Sequence, residues 1–201
     1  MSNGILVFIE HKSGVANRTS AEAIAAAQAL GSQLQQSVSA VVLGADVAGL
    51  AQEIAGYDVA KVIAATNPKL ADYTPDAYAD GMEQVVKQVD PSFVFLTHTY
   101  QVRDFAPKLA TRFQQVLVSD VVDFRVEGGS VTMVRQLFQG KLNADVKFGA
   151  NAPYFASFQA GAFRAESAIP ARVWDDLINI AIGRAREIAD LVPKIDRAKS
   201  S

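Results

Sequence analysis

Residues 5–31 read ILVFIEHKSGVANRTSAEAIAAAQALG, and this stretch decides the fold. Ile5 to Ile9 is an unbroken apolar run, short and rich in β-branched side chains. Such a run suits a strand buried on both faces, the situation of a parallel sheet. An alanine-rich segment follows. Ser20 is the expected N-cap of its helix, Glu22 stands in the first turn, and the helix should reach about Leu30, with Gly31 ending or loosening it. A strand with two buried faces leading into a helix is the first half of a βαβ unit.

The same alternation continues outward from that unit. Ser37 to Leu43 reads as a strand closed by Gly44, Val47 to Ala55 as a short helix, and Lys61 to Ala65 as a third strand. Thr74-Pro75 opens a helix with proline in the first turn, where its missing N–H costs nothing. That helix extends to about Val89, and Asp90-Pro91 breaks it. Phe93 to Thr97 is a fourth strand, and Asp104 to Phe113 the next helix. Four strand–helix units in succession predict a mostly parallel sheet with helices on both faces and right-handed crossovers. After Val116 the pattern changes. Val121 to Val126 and Val131 to Phe138 flank Glu127-Gly128-Gly129-Ser130, a hairpin signal. Leu142 to Phe148 and Pro153 to Phe158 are further strands of an added antiparallel portion. The expected fold is a three-layer α/β domain, a mostly parallel sheet flanked by helices with an added antiparallel hairpin portion. It spans residues 1–165. Residues 166–201 form a linker, an amphipathic helix from Val173 to Val192 and a polar tail.

Composition narrows the chemistry. The chain has 201 residues, half of them hydrophobic, enough for a sizeable core. With 19 basic and 21 acidic residues, it has no cationic excess pointing to nucleic acid or an anionic membrane. There is no cysteine, which excludes disulfides, thiolate metal sites and iron–sulfur clusters. No run reaches the roughly 18 apolar residues of a membrane span. Met1-Ser2-Asn3-Gly4 lacks the basic segment of a secretory signal, so the expected location is the cytoplasm.

The catalytic inventory is thin. His11 and His98 are the two histidines. Each follows a predicted strand at its carboxyl end, where open α/β sheets place ligands. Neither has a second histidine at i+3 or i+4, so metal spacing is absent, and a structural hydrogen bond is the plainer role. Asp120 and Asp123 do not form a convergent acid–base pair, and Asp175-Asp176 complement a helix dipole. Gly44 and Gly49 have the spacing of a phosphate loop, but Leu50 and Ala51 replace its lysine and hydroxyl. Arg103, Lys108 and Arg112 lie along one helix, as a solvated face or as an inter-subunit charge contact. Phe105, Phe113, Phe124 and Phe138 are expected in the core. A well-patterned domain without acid–base apparatus favours a binding or scaffold role.

Several blocks carry a resemblance. They are Arg103 to Arg112 (RDFAPKLATR), Leu117 to Val121 (LVSDV), Arg135 to Lys141 (RQLFQGK) and Pro153 to Phe163 (PYFASFQAGAF). Leu6 to His11 with Ser20 to Gly31, and Thr74 to Phe95, complete the order. Together, over roughly residues 5–163, they resemble the N-terminal domain of electron-transfer flavoprotein alpha subunits. The resemblance implies a fold of the adenine-nucleotide alpha-hydrolase-like kind and a heterodimer with a beta subunit. It also implies FAD in the complete heterodimer, held mostly by the alpha subunit's second domain rather than by this chain, and AMP, where present, in the beta subunit. Electrons would pass from acyl-CoA or related dehydrogenases, as in fatty acid β-oxidation, to a quinone oxidoreductase or another acceptor. Arg103, Lys108, Arg112, Arg135 and Gln159 become candidates for the partner interface, and no catalytic residue is expected. Val102, Lys108 and Gln159 stand where the family usually has glycine, arginine and arginine, and the segment from Val173 to Val192 does not match its linker. An adenine-nucleotide-binding sensor is the alternative, with ligand near Glu10, Gly44 and Thr97, and the missing phosphate loop counts against it. A small-molecule enzyme using His11 or His98 is the third reading.

Overall fold

The computed structural model describes residues 4–149 and 151–171. The helix expected at 173–192, Asp175-Asp176 and the polar tail lie outside the described residues. The chain order begins β1 (Ile5–Ile9), β2 (His11–Lys12), β3 (Val15–Ala16), α1 (Arg18–Leu34), β4 (Val38–Gly44), α2 (Ala48–Ile54) and β5 (Lys61–Thr66). It continues α3 (Pro75–Val89), β6 (Phe93–Thr97), α4 (Tyr100–Arg112), β7 (Leu117–Glu127), β8 (Ser130–Leu137), β9 (Leu142–Lys147) and β10 (Tyr154–Phe158). Short 3-10 turns span Pro68–Leu70 and Ala165–Ser167.

Eight strands form one sheet in the order β5-β4-β1-β6-β10-β7-β8-β9. β5, β4, β1, β6, β10 and β7 run parallel, and β7, β8 and β9 form an antiparallel meander. The parallel half follows from burial. All five residues of β1 are buried, as are all seven of β4. Alternate side chains feed two cores. Ile5, Val7 and Ile9 pack with Ile24, Leu30, Leu50 and Ile54 from α1 and α2. Leu6 and Phe8 pack with Met82, Val85, Phe105 and Leu109 from α3 and α4. A strand with period-2 side chains can serve two helical layers only if both of its faces are apolar.

The structure moves four expectations. β10 was expected in the antiparallel portion but inserts between β6 and β7, parallel to both. Its residues Phe155 to Phe158 are all buried, which only a central strand allows. α1 starts earlier than Ser20: Asn17 is the N-cap, its side chain accepting from Thr19 N. Gly31 does not end α1. The helix continues to Leu34 and stops at Gln35, which adopts the left-handed conformation (φ 55°). A Cβ on Gly31 would lie 2.7 Å from the Gln36 carbonyl, so glycine is needed where the returning chain crosses the helix. Phe138 is not core: it is 72% exposed, in the turn between β8 and β9. Phe105 and Phe124 are buried, and Phe113 is partly buried against Phe155. Thr74 caps α3 above Pro75, and Gly128-Gly129 turn the β7–β8 hairpin, as expected.

A non-glycine residue in the left-handed region costs about 1 kcal/mol relative to glycine. Gln35→Gly is therefore expected to raise stability by up to about 1 kcal/mol, seen as a higher urea midpoint with an unchanged slope. A lower midpoint would show that the Gln35 side chain contributes more than its backbone costs.

Candidate functional site

Open parallel sheets place ligands beyond the strand carboxyl ends, where neighbouring strands connect in opposite directions. Here that point lies between β1 and β6. From β1 the chain crosses to β4 and β5 on one side, while β6 leads to β10 and β7 on the other. A cavity of about 890 Å³ opens there, lined by Glu10, His11, Asn17, Tyr73, Tyr78 and Gln101 among others.

Glu10 is tied at every polar group. Its N–H donates to Ser20 Oγ (3.0 Å), and the same hydroxyl donates to the Glu10 carbonyl (3.1 Å). Oε1 accepts from Asn17 Nδ2 (3.1 Å), and Oε2 accepts from the Thr99 hydroxyl. Thr99 also caps α4, accepting from Val102 N. One carboxylate thus joins the ends of β1 and β6 to the starts of α1 and α4. Ser20, expected as a cap, is instead a buried clamp on the strand exit.

His11 has both ring nitrogens engaged. Nε2 lies 2.7 Å from the Leu43 carbonyl, which only accepts, so Nε2 carries the proton. Nδ1 then accepts from Gly14 N (3.4 Å). Gly44 makes room for this: a Cβ there would lie 3.3 Å from His11 Nε2 and 2.5 Å from Val47 Cγ1. Burial, with the nearby Glu10 carboxylate, pushes the Tyr78 phenol up. Burial and the hydrogen bond to Asp104 raise Tyr73 well above the ordinary tyrosine range. Its hydroxyl stays protonated and donates between Asp104 Oδ2 (2.9 Å) and the Gln101 carbonyl (3.1 Å). Gln101 Nε2 is shielded from solvent and has no hydrogen-bond partner among the described residues.

A second polar cluster sits at the ends of β6, β7 and β10. His98 Nδ1 pairs with Ser157 Oγ (3.0 Å), and Nε2 lies 4.0 Å from Asp120 Oδ1. This resembles a Ser-His-Asp order, but Ser157 is completely buried and cannot meet a substrate. Burial lowers the His98 pKa, opposed by Asp120 and assisted by Arg103 and Arg135. Both histidines have their ring nitrogens beside partners within the chain. Among the described residues, no group of three or more histidine or carboxylate side chains could hold a metal ion.

The interface candidates separate into two sets. Lys108 pairs with Asp76, and Arg112 pairs with Asp80 (2.5 Å) and Glu83 (2.8 Å), so both bind α4 to α3. Arg103 lies over the Tyr100 ring, 5.8 Å from its centroid, and Tyr100 is 89% exposed. Arg135 has its Nε shielded and without a partner among the described residues. Gln159 follows β10, its N–H donating to the Val121 carbonyl (2.9 Å). Arg103, Arg135 and Gln159 therefore gather near His98, away from Lys108 and Arg112. Glu10 was legible as a polar residue ending an apolar strand. Tyr73 and Gln101 were not: Tyr73 lies between β5 and α3 and Gln101 at the start of α4, and only the fold brings the Tyr73 hydroxyl onto the Gln101 carbonyl.

The described residues do not fit a flavin dinucleotide. Its pyrophosphate needs a glycine-rich loop and free N–H groups at a helix start. Here Asn17 and the Glu10 carboxylate occupy the start of α1, and Gly44 and Gly49 lie in β4 and α2. No helix among the described residues is long and apolar enough to cross a membrane.

The class this geometry defines is a three-layer α/β domain built on the plan of nucleotide-binding sheets, without their phosphate loop. Comparison with known proteins then gives the family. Residues 5–190 match the electron transfer flavoprotein domain, and the chain belongs to the electron transfer flavoprotein family. The electron transfer flavoprotein subunit alpha of Bacillus subtilis (strain 168) is 37% identical over 141 residues, covering 70% of this chain and 43% of that protein. The subunit alpha of Syntrophomonas wolfei subsp. wolfei is 30% identical over 158 residues, 79% of this chain and 48% of that protein. A protein of Acetobacterium woodii, lactate dehydrogenase (NAD(+),ferredoxin) subunit LctC, is 26% identical over 190 residues, 92% of this chain and 44% of its own length. The chain spans less than half the length of these relatives.

Two outcomes follow from the ties. Ser20→Ala leaves the Glu10 N–H without its acceptor at the end of a buried strand, and should lower stability by about 1–3 kcal/mol in denaturant unfolding. His98 gives a pH dependence. Its pKa in the folded chain is lowered from the ordinary value, so near that value the unfolded chain binds more protons and stability rises with pH. The contribution is complete above about pH 6.5 and is lost as pH falls through the lower folded pKa. Midpoints measured from about pH 8 to about pH 5 should fall less steeply in His98→Gln than in the parent.

Proposed function

We propose that the chain is the alpha-subunit N-terminal scaffold domain of an electron-transfer flavoprotein, with residues 1–165 as the domain proper. The observation that carries this reading is the family match over residues 5–190. Local chemistry agrees with it. Both histidines serve structural hydrogen bonds, and the serine of the one triad-like arrangement is inaccessible. On this reading the chain contributes no catalytic group of its own.

The partner is a beta subunit, which carries AMP where AMP is present. FAD, bound in the complete heterodimer, supplies the electron-carrying chemistry, while this domain supplies position and electrostatics. Donors of the acyl-CoA dehydrogenase type and a quinone oxidoreductase are the exchange partners this reading implies. The compartment it assigns is the cytoplasm. Of the five interface candidates, Lys108 and Arg112 are engaged within the chain. We place the contact on Arg103, Arg135 and Gln159, with the exposed Tyr100 ring as its apolar element. Aromatic and arginine side chains are the residue types that dominate such contacts.

Co-purification with a cognate beta subunit tests the pairing. The parent chain should be retained, and the Arg103→Glu/Arg135→Glu double variant should bind at least about tenfold more weakly. Absence of any association under conditions where a full-length alpha subunit associates would sink the proposal. After incubation with FAD and desalting, the chain alone should show no flavin absorption band. A stoichiometric band would mean that it holds a flavin by itself.

A further inference from the structure

Residues 164–171 run as a strap from the end of β10, past α1, to the loop after α2. We propose that this strap is a latch. Gln28 holds it shut, and it opens as a unit while the sheet stays folded, releasing the point beside Gly56 from which the chain continues. The inference stands independently of the flavoprotein reading, because every contact it uses lies within this chain.

The fixed end comes first. β10 ends at Phe158, and the chain stays tied for several residues beyond it. Gln159 N–H donates to the Val121 carbonyl (2.9 Å), and Gly161 N–H donates to the Glu22 carboxylate of α1 (2.7 Å). Phe163 stacks on Phe124, with ring centroids 5.7 Å apart. Past Phe163 the character changes. None of residues 164–171 is buried, and Ile169 is 45% exposed. A hollow of about 480 Å³ borders Ile169 beside Gln28 and Asp58, so close packing does not hold the strap there. Segments with few buried apolar contacts open at free energies well below that of the whole domain.

What holds the strap is polar, and it converges on one side chain. Gln28 is only 7% exposed in the alanine-rich helix α1. Its Nε2 donates to the carbonyls of Asp58 (2.9 Å) and Ile169 (3.0 Å), and its Oε1 accepts from Ile169 N–H (2.7 Å). One amide thus meets both backbone groups of Ile169, as a neighbouring strand would. Asp58 N–H donates to the same Ile169 carbonyl (2.8 Å), and Ala171 N–H to the Gly56 carbonyl (2.8 Å), around an isolated bridge between Tyr57 and Pro170. A further tie, the Arg18–Glu166 ion pair, is 77% and 72% exposed and contributes little.

These bonds break together. Gln28, Asp58 and Gly56 all hold the short stretch from Ile169 to Ala171. Withdrawing Ile169 from Gln28 therefore also frees the Asp58 N–H and carries Ala171 away from Gly56. Neither Asp58 nor Gly56 is buried, so water can take the place of the strap at their backbone groups.

Amide hydrogen exchange of the full chain, followed residue by residue at increasing urea, tests the latch. In the parent, the Asp58, Ile169 and Ala171 amides should share one opening equilibrium. Their protection should be at least about a hundredfold below that of the amides of β1 and β6. Gln28→Leu removes all three side-chain bonds while keeping most of the volume. It should speed exchange at the three amides about tenfold or more and leave β1 and β6 within about twofold. Arg18→Ala should leave the three amides within about twofold of the parent. If Gln28→Leu unfolds, the parent measurement decides by itself. Protection of the three amides equal to that of β1 and β6 overturns the proposal, because the strap then opens only with the whole domain. So do three unrelated opening equilibria, or a Gln28→Leu effect that is no larger than that of Arg18→Ala or is spread equally over β1 and β6.

Discussion

Two-sided burial of β1 is the constraint on which this molecule depends. Ile5, Val7 and Ile9 belong to one hydrophobic core and Leu6 and Phe8 to the other, and none is more than 1% exposed. A strand in that position needs a neighbour on each edge and a helix layer on each face. β4 and β6 supply the edges in parallel register, pairing Ile5 with both Val38 and Phe93. The helices follow from the connections, since a parallel neighbour can be reached only by a crossover. Losing apolar character at any β1 position would open one of the two cores, and each core already depends on the other through the shared strand.

The same constraint creates the polar crowding at the carboxyl edge. Strands buried on both faces have to end somewhere, and their last backbone groups need partners away from water. Ser20 meets those of Glu10, His11 reaches back to the Leu43 carbonyl of β4, and His98 N–H donates to the Phe158 carbonyl of β10. Both histidines stand at strand ends, where ligands bind, yet they are occupied with closing the sheet. Position alone does not distinguish a catalytic histidine from a structural one; the partners of the ring nitrogens favour the structural role.

The parallel half was legible in the sequence because burial on two faces leaves an unbroken apolar run, and ILVFI, VSAVVL and FVFLT each have one. β10 was legible as a strand, but its direction was not. YFASF follows a hairpin in sequence, and nothing local shows that it returns past the meander to lie between β6 and β7. Phe138 misled because an aromatic side chain reads as core wherever it stands, and its left-handed backbone (φ 51°) becomes visible only in the folded turn. Ser20 misled in the opposite way: a hydroxyl before an apolar stretch has the pattern of a cap, and Asn17 three residues earlier took that role. In the candidate site, Glu10 could be found from the end of its strand. Gln101 could not, since its meaning lies in lacking a partner.

The distribution of cations carries the last step. Lys108 and Arg112 join α4 to α3 through Asp76, Asp80 and Glu83, pairs that are partly exposed and individually worth well under about 1 kcal/mol. Arg135 differs. Its Nε is withdrawn from water without an acceptor among the described residues, a cost the isolated chain bears. On the proposed reading, the exposed Tyr100 ring beside Arg103 is what a partner would cover at that edge. On the proposed reading the contact therefore falls near His98 rather than on Lys108 and Arg112, whose charges are matched within the chain.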